Sequence, residues 1–495
     1  MPALNIDIGT GFYQSSALPL ANQRCVNAFV EVTQAQTPFQ NSVFGTPGIT
    51  QITSLSDSRD DFCRGAATKE GLPYFVSGQS IYRVDRTIDT SGNEVITNVN
   101  LGTIEGTERC NFADNGTQLL VLVPGGKGYI VNENSTPVVQ EITDADFTST
   151  NGAPQFVVYI DGYFVVTTDA KKFIVSGIND GLSWSALDFG AALVDPDNIV
   201  APFVFRNDLY IAGSQTIESF ENIGGAGFPF QRINGFVIPK GVKAPYSIEV
   251  FNNSVHWVGS GESEEIAIWA LQGSDAVKVS TNAIDLKLQS LTDEQQKGIF
   301  SWSYAEAGHY FVGFTSEKFT LVYDMSTGLW HERESLITNI LGNTETFRCR
   351  YNAIVSAYGK TLVGDSLDGR IGVLSGDVYK EYDEVLRMLF TTATVFDNGS
   401  PFFIASTEMF LQPGVGNVDV MNPVVNVRVS KDGYTFGDYR TIRMGKVGEY
   451  STRQIERHWG RFPRFAIFEF NISDAVQRRF MGLTINIKQG SGNGR

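Results

Sequence analysis

The chain has 495 residues, 42% of them hydrophobic and 19% charged, with a formal net charge of −16. That length can hold one large core and a smaller one, and with no run of about 18 apolar residues a membrane-spanning helix is excluded. The charge is uneven: residues 385–495 hold 14 Lys+Arg against 9 Asp+Glu, which gives +5, and the other 384 residues hold 24 against 45, which gives −21. An acidic body argues against adhesion to nucleic acid or anionic lipid, and it lets DNA slide past rather than stick. The basic C-terminal region suits a phosphate, an acidic protein partner or an ordinary solvated surface.

Residues 1–60 show little periodicity, and Pro19, Pro38 and Pro47 punctuate them. They are expected to form an extended arm that braces a ring or closes it with a strand, because an unclosed ring exposes strand edges. The first residues lack a basic stretch followed by an apolar one, so no secretion signal is expected.

Residues 61–384 carry a repeat. Seven short apolar hairpins begin near Leu72, Gln118, Gly162, Asp208, Ser254, Gly308 and Gly359, at gaps of 46, 44, 46, 46, 54 and 51 residues. Leu209-Tyr-Ile-Ala-Gly-Ser-Gln-Thr-Ile-Glu-Ser-Phe220 is typical: an apolar run, a polar turn, an apolar run. A period of roughly 40–50 residues filled with strands predicts propeller blades of about four strands each. Asp161-Gly162, Asn252-Asn253 and Asp368-Gly369 read as the tight turns. Residues 284–299 predict a helix with Thr292 as a cap, and that insertion accounts for the longest gap.

Residues 385–495 alternate strongly, as in Val424-Val-Asn-Val-Arg-Val-Ser430 and Phe465-Ala-Ile-Phe-Glu-Phe-Asn471, and predict a small antiparallel sandwich. The last residues, 489–495, read as a flexible tail. The fold class is thus all-β: a β-propeller of six or seven blades with a C-terminal antiparallel β-sandwich.

Candidate chemistry is sparse. Cys25, Cys63, Cys110 and Cys349 are far apart, as are the four histidines, so the cysteines read as small buried hydrophobes and no metal or cofactor is expected. Ser176–Trp184 and Ser430–Phe436 resemble the Asp-box of sialidases, a hairpin device rather than a catalytic one. The arginine cluster and the Tyr/Glu pair that a sialidase needs do not stand out. Gly261-Glu-Ser-Glu-Glu265 suits a hard cation or, more simply, a solvated hairpin tip. Val123-Pro-Gly-Gly-Lys-Gly128 lacks the P-loop spacing and reads as a turn. Gly224-Gly-Ala-Gly-Phe-Pro-Phe230 could carry Phe228 and Phe230 to a neighbouring subunit or fill its own core with them. Arg453, Arg457, Arg461 and Arg464 are the expected protein–protein face of the basic region.

Several stretches, in order, resemble the packaged-DNA stabilisation, or tail hub, proteins of P22-like short-tailed bacteriophages. They include Gln23-Arg-Cys-Val-Asn-Ala-Phe-Val-Glu31, Thr46-Pro-Gly-Ile49, Gly213-Ser-Gln-Thr-Ile-Glu-Ser-Phe220, Phe228-Pro-Phe-Gln-Arg232, Val279-Ser-Thr-Asn-Ala-Ile284 and His458-Trp-Gly-Arg-Phe-Pro-Arg464. The resemblance implies a non-enzymatic virion protein assembled in the host cytoplasm. It would form a homo-hexameric ring below the portal–adaptor, retain the packaged genome in the channel, and dock tail fibres or tailspikes and a plug or needle. It carries over no catalytic residue. The alternatives from other classes are a carbohydrate-active tail enzyme on a sialidase-like propeller and a host-surface glycan-binding module.

Overall fold

Each of the seven hairpins becomes the second and third strands of a four-stranded antiparallel sheet in the computed structural model, which describes residues 3–58, 60–191, 198–224, 227–338 and 341–489. Six of these sheets are sequential meanders, over 63–103, 111–141, 154–190, 199–238, 249–278 and 300–338. The seventh takes three strands from 351–375 and its outermost one, Gly48–Ser54, from near the N-terminus. The turns between first and second strands set the hairpin twist. Residues 161 and 162 have φ of 50° and 91°, and residues 252 and 253 have φ of 47° and 57°. Positive φ at both central positions is the turn that suits the right-handed strand twist.

The blades form a closed ring because each buries an apolar face on the next. Leu119, Val121 and Tyr129 of blade two pack on Tyr74 and Ile81 of blade one. Around the ring, Val355, Leu362 and Ile371 of blade seven pack on Cys63, Phe75 and Val84 of blade one. Closure depends on the latch strand Gly48–Ser54, which pairs antiparallel with Arg370–Ser375. Two glycines permit the fit. A Cβ on Gly48 would lie 2.4 Å from the Lys380 carbonyl oxygen, and one on Gly372 would lie 2.2 Å from Ile49 Cγ2.

The rest of the N-terminal segment belongs to the sandwich. One sandwich sheet joins Gln454–Phe462, Phe402–Leu411 and Arg479–Gln489 to Asn41–Gly45, Ala28–Val32 and Ala3–Ile6. The other joins Met388–Thr391, Phe465–Ile472, Val424–Ser430 and Arg440–Arg443. Cys25–Val26 bridges Met388–Thr391 to Leu329–Thr338, the outermost strand of blade six, so one eleven-stranded sheet runs from propeller into sandwich. Between the sandwich sheets lie Phe402, Phe462, Phe468, Phe470 and Phe480, all at most 1% exposed.

The predicted helix over 284–299 is corrected to two: Asn282–Gln289 and Asp293–Lys297. Thr292 caps the second, accepting from Gln295 N while the Gln295 side chain returns to the Thr292 N–H. Ile284 and Leu288 pin the first helix between blades five and six. All four cysteines are buried, and burial pushes the Cys63 and Cys349 thiols up to about 12. The tail expected over 489–495 lies outside the described residues apart from Gln489, which ends the last strand.

Candidate interaction surfaces

The axial bore of the propeller is lined by the first strands of the blades and stoppered by side chains that cross it. Arg109, before blade two, donates to the Asn352 carbonyl at 2.7 Å and to its side-chain oxygen at 2.9 Å in blade seven. Its guanidinium lies 3.6 Å from the Phe300 ring centroid of blade six. The Tyr246 hydroxyl, before blade five, donates to the Arg109 carbonyl. Beside this plug is a cavity of about 340 Å³. In it Glu249 accepts from Ser301 at 2.9 Å and Ser303 at 2.7 Å. Burial raises the Glu249 carboxyl above its ordinary value, against the lowering from the two serines.

The joint between propeller and sandwich is polar and buried. Asn27 donates to the carbonyls of Glu334 at 2.8 Å and Arg387 at 2.7 Å, and accepts from Glu334 N at 3.0 Å. Arg24 and Lys287 both reach Glu332, at 3.0 Å and 2.5 Å. Burial opposes the charge on Glu332, but these two cations outweigh it and hold the carboxyl below its ordinary value. His309, at the start of the second strand of blade six, places Nδ1 2.7 Å from Asp324 and Nε2 2.7 Å from Glu31 of the sandwich strand Ala28–Val32. Burial disfavours its cation, yet the two carboxylates prevail and raise its pKa above the ordinary 6.5. Arg350 and Asp365 form a fully enclosed pair at 2.7 Å.

The arginines singled out from the sequence sit on or beside the edge strand Gln454–Phe462. Arg453 is exposed but engaged with both carboxylate oxygens of Glu408, at 2.7 and 2.5 Å. Arg457, Arg461 and Arg464 are exposed, with no ion pair among the described residues. The strand edge beside them is partly covered, because Arg440 donates to the carbonyls of Arg457 at 2.8 Å and His458 at 3.2 Å.

Phe228 and Phe230 follow the second of the two expectations and pack on their own core. Residues 225 and 226 of their glycine-rich stretch lie outside the described residues, but both rings turn inward between blades three and four. Phe228 lies 5.4 Å from the Phe173 ring and Phe230 lies 6.0 Å from the Tyr163 ring. Phe230 is 5% exposed. They fill their own core, since an inter-blade gap beside the small Gly190 leaves ring-sized space. Phe230 is thereby buried, while Phe228 stays half-buried.

The Asp-box-like turns serve the fold. Asp432 accepts from Tyr434 N and Thr435 N, each at 2.8 Å, and from the Thr435 hydroxyl at 2.6 Å. Those donors hold its carboxyl well below the usual range. Trp184 donates to the Gly181 carbonyl at 2.8 Å and is buried. In the acidic loop, Glu264 pairs with Lys240 and Glu265 accepts from Gln289. No group of three His, Cys, Asp or Glu side chains that could hold a metal occurs among the described residues. Sequence reading gave no role to His309, Asn27 or Arg109: each works through a partner distant in the chain, and although Asn27 lies within the quoted stretch 23–31, nothing there marks it out from its neighbours.

Two family descriptions match the chain. "Bacteriophage P22 Gp10, beta-propeller" covers residues 4–379, and "Bacteriophage P22 Gp10, beta-sandwich" covers residues 387–488. No curated protein matches. Among solved structures, the WD40 propeller domain of Doa1 is 12% identical with a TM-score of 0.39, covering 66% of this chain and 97% of that one. BamB from Moraxella catarrhalis is 10% identical with a TM-score of 0.35, covering 66% and 97%. The N-terminal domain of Nup159 is 12% identical with a TM-score of 0.40, covering 72% and 99%.

Proposed function

Because this chain belongs to the bacteriophage P22 Gp10 family and is thus a structural phage tail protein, we propose that it is the hub of a short tail. In this reading six copies form a ring below the portal–adaptor, retain the packaged genome, and present surface to a tail fibre or tailspike and to a plug or needle. Assembly takes place in the host cytoplasm. The observation that carries the reading is the family match, which spans both the propeller and the sandwich.

The geometry supports it in two ways. The bore of one propeller is blocked by Arg109, Tyr246 and Asn352, and a duplex whose major groove alone is about 12 Å wide does not fit among packed blade strands. In this reading the DNA conduit lies between copies rather than through one propeller. In addition, sandwich and propeller share one sheet and a buried ion-pair network, which suits an element that resists outward pressure.

The test is particle assembly with this gene silenced in its phage. Heads that package and then leak, leaving empty capsids without a hub, are expected. Full, DNA-retaining particles that merely fail to infect would overturn the reading in favour of a receptor-binding or glycan-cleaving role.

A further inference from the structure

The sandwich sheet containing Ala3–Ile6, Phe402–Leu411, Gln454–Phe462 and Arg479–Gln489 has one side in the core; its other side is covered by Phe39 at Phe410 and is open around Phe403. Phe402, Ile404, Met409 and Leu411 point inward and are buried. The register puts Arg461 and Lys488 on either side of the outward Phe403, and Arg457 and Asn486 on either side of Ser406. Arg457, Arg461 and Lys488 therefore share the open side, exposed and without an ion pair among the described residues. Glu408 on that side is already held by Arg453. The face is cationic, with an aromatic ring, Phe403, 40% exposed at its centre.

The complementary surface is on the propeller. In an antiparallel meander the turn between strands one and two and the turn between strands three and four lie at the same end of the blade. In blade three they touch: Asn179 N donates to the Gly162 carbonyl at 2.7 Å. Across blades three to five this end carries Asp161, Glu221 and Asp275, all exposed and without an ion pair among the described residues, against one exposed cation, Arg206, in the first turn of blade four. Between them stand two bare apolar tips, Ile178 at 69% and Ile223 at 54% exposure. A chain's own sandwich is fixed to blade six by Cys25–Val26 and Leu329–Thr338, next to blade five and two and three blades away from blades four and three.

We infer that the sheet face bearing Arg457, Arg461 and Lys488 docks on the turn face of blades three to five, at Asp161, Glu221 and Asp275, of a second copy of this chain. The inference rests on the ring reading above. The occupant follows from charge complementarity within one sequence: the region from 385 onward is +5 and the remainder −21, so each copy carries both halves of the contact. Two different patches meeting make a heterologous contact, which propagates in one rotational sense and closes a ring when the rotation allows. Opposed charges set the register and repel the wrong pairing.

The test is complementation of the silenced phage by variant chains, scored as tail-bearing particles, with purified variants melted to check folding. Arg457→Glu with Arg461→Glu, and separately Glu221→Arg with Asp275→Arg, are each expected to reduce tail incorporation by about a hundredfold or more, from losing two close charge pairs. The four changes combined in one chain are expected to restore it to within about tenfold of the unsubstituted chain, since the pairs re-form with reversed sign. Either pair of reversals leaving incorporation unchanged would overturn the contact. So would a combined variant that melts normally but assembles no better than its parents, the outcome if the basic face serves another protein or DNA. In those cases the tail reading stands. An unsubstituted chain that restores no DNA-filled particles defeats the tail reading itself.

Discussion

Among the charged side chains carried into the interior, two pairings fail in distinct ways. Arg350 and Asp365 are 1% and 0% exposed. Removing one partner strands the other charge, so Asp365→Ala is expected to cost about 3–5 kcal/mol. Replacing both together, Arg350→Met with Asp365→Leu, is expected to cost much less, and urea midpoints compare the two. His309 answers to pH. Its folded pKa is raised above 6.5, so the stability it contributes is full below about pH 6.5 and is lost as pH rises through the folded value. The difference in urea midpoint between the unsubstituted chain and His309→Gln is therefore expected to be largest near pH 6 and to shrink at higher pH. Its size is roughly 1–2 kcal/mol, because the Glu31 side of the bridge is partly exposed and screened. A difference independent of pH would mean that His309 acts by packing alone.

Among the elements, the latch strand Gly48–Ser54 decides whether blade seven is complete. Gly48→Ala forces a Cβ toward the backbone oxygens of Val378 and Lys380, which cannot swing aside as a side chain would. The expected cost is about 1–3 kcal/mol. Hydrogen exchange should localise it: amides of Tyr351–Ala357, Lys360–Asp365 and Arg370–Ser375 exchange faster while blades two to four keep their protection. A uniform change over all blades would place the closure elsewhere. The second helix offers a smaller effect, since Thr292→Ala removes one half of a reciprocal cap worth about 1 kcal/mol.

For the molecule as a whole, propeller and sandwich are one folding unit. Residues before position 46 supply three strands of one sandwich sheet, and Cys25–Val26 stitches the other to blade six. A fragment of residues 385–495 lacks those strands, and with Ile6 and Val43 gone it leaves Phe480 and Leu483 with bare faces. It is expected not to fold alone, showing no cooperative melt by circular dichroism, and to gain structure when residues 1–47 are supplied on a linker. The intact chain should melt in one transition. A fragment that folds by itself would separate the two halves.

The hairpin spacing by itself determined the propeller, because a blade is a local meander whose strands, turns and apolar alternation are all written within about 45 consecutive residues. All seven hairpins became blades, including the one that opens the 54-residue gap, which the two short helices fill. Alternation after residue 385 likewise announced a sandwich, and the charge shift marked its basic character. What only the tertiary structure decided are the pairings between distant segments. These are the latch of residues 48–54 on blade seven, the N-terminal strands inside the sandwich, the stoppered bore, and the bridge from His309 to Glu31. It also placed the Phe230 ring in the core between blades three and four, with Phe228 half-buried beside it. Such pairings depend on which edges and faces remain uncovered once the local units have formed, and that is a property of the assembled chain rather than of any window of its residues.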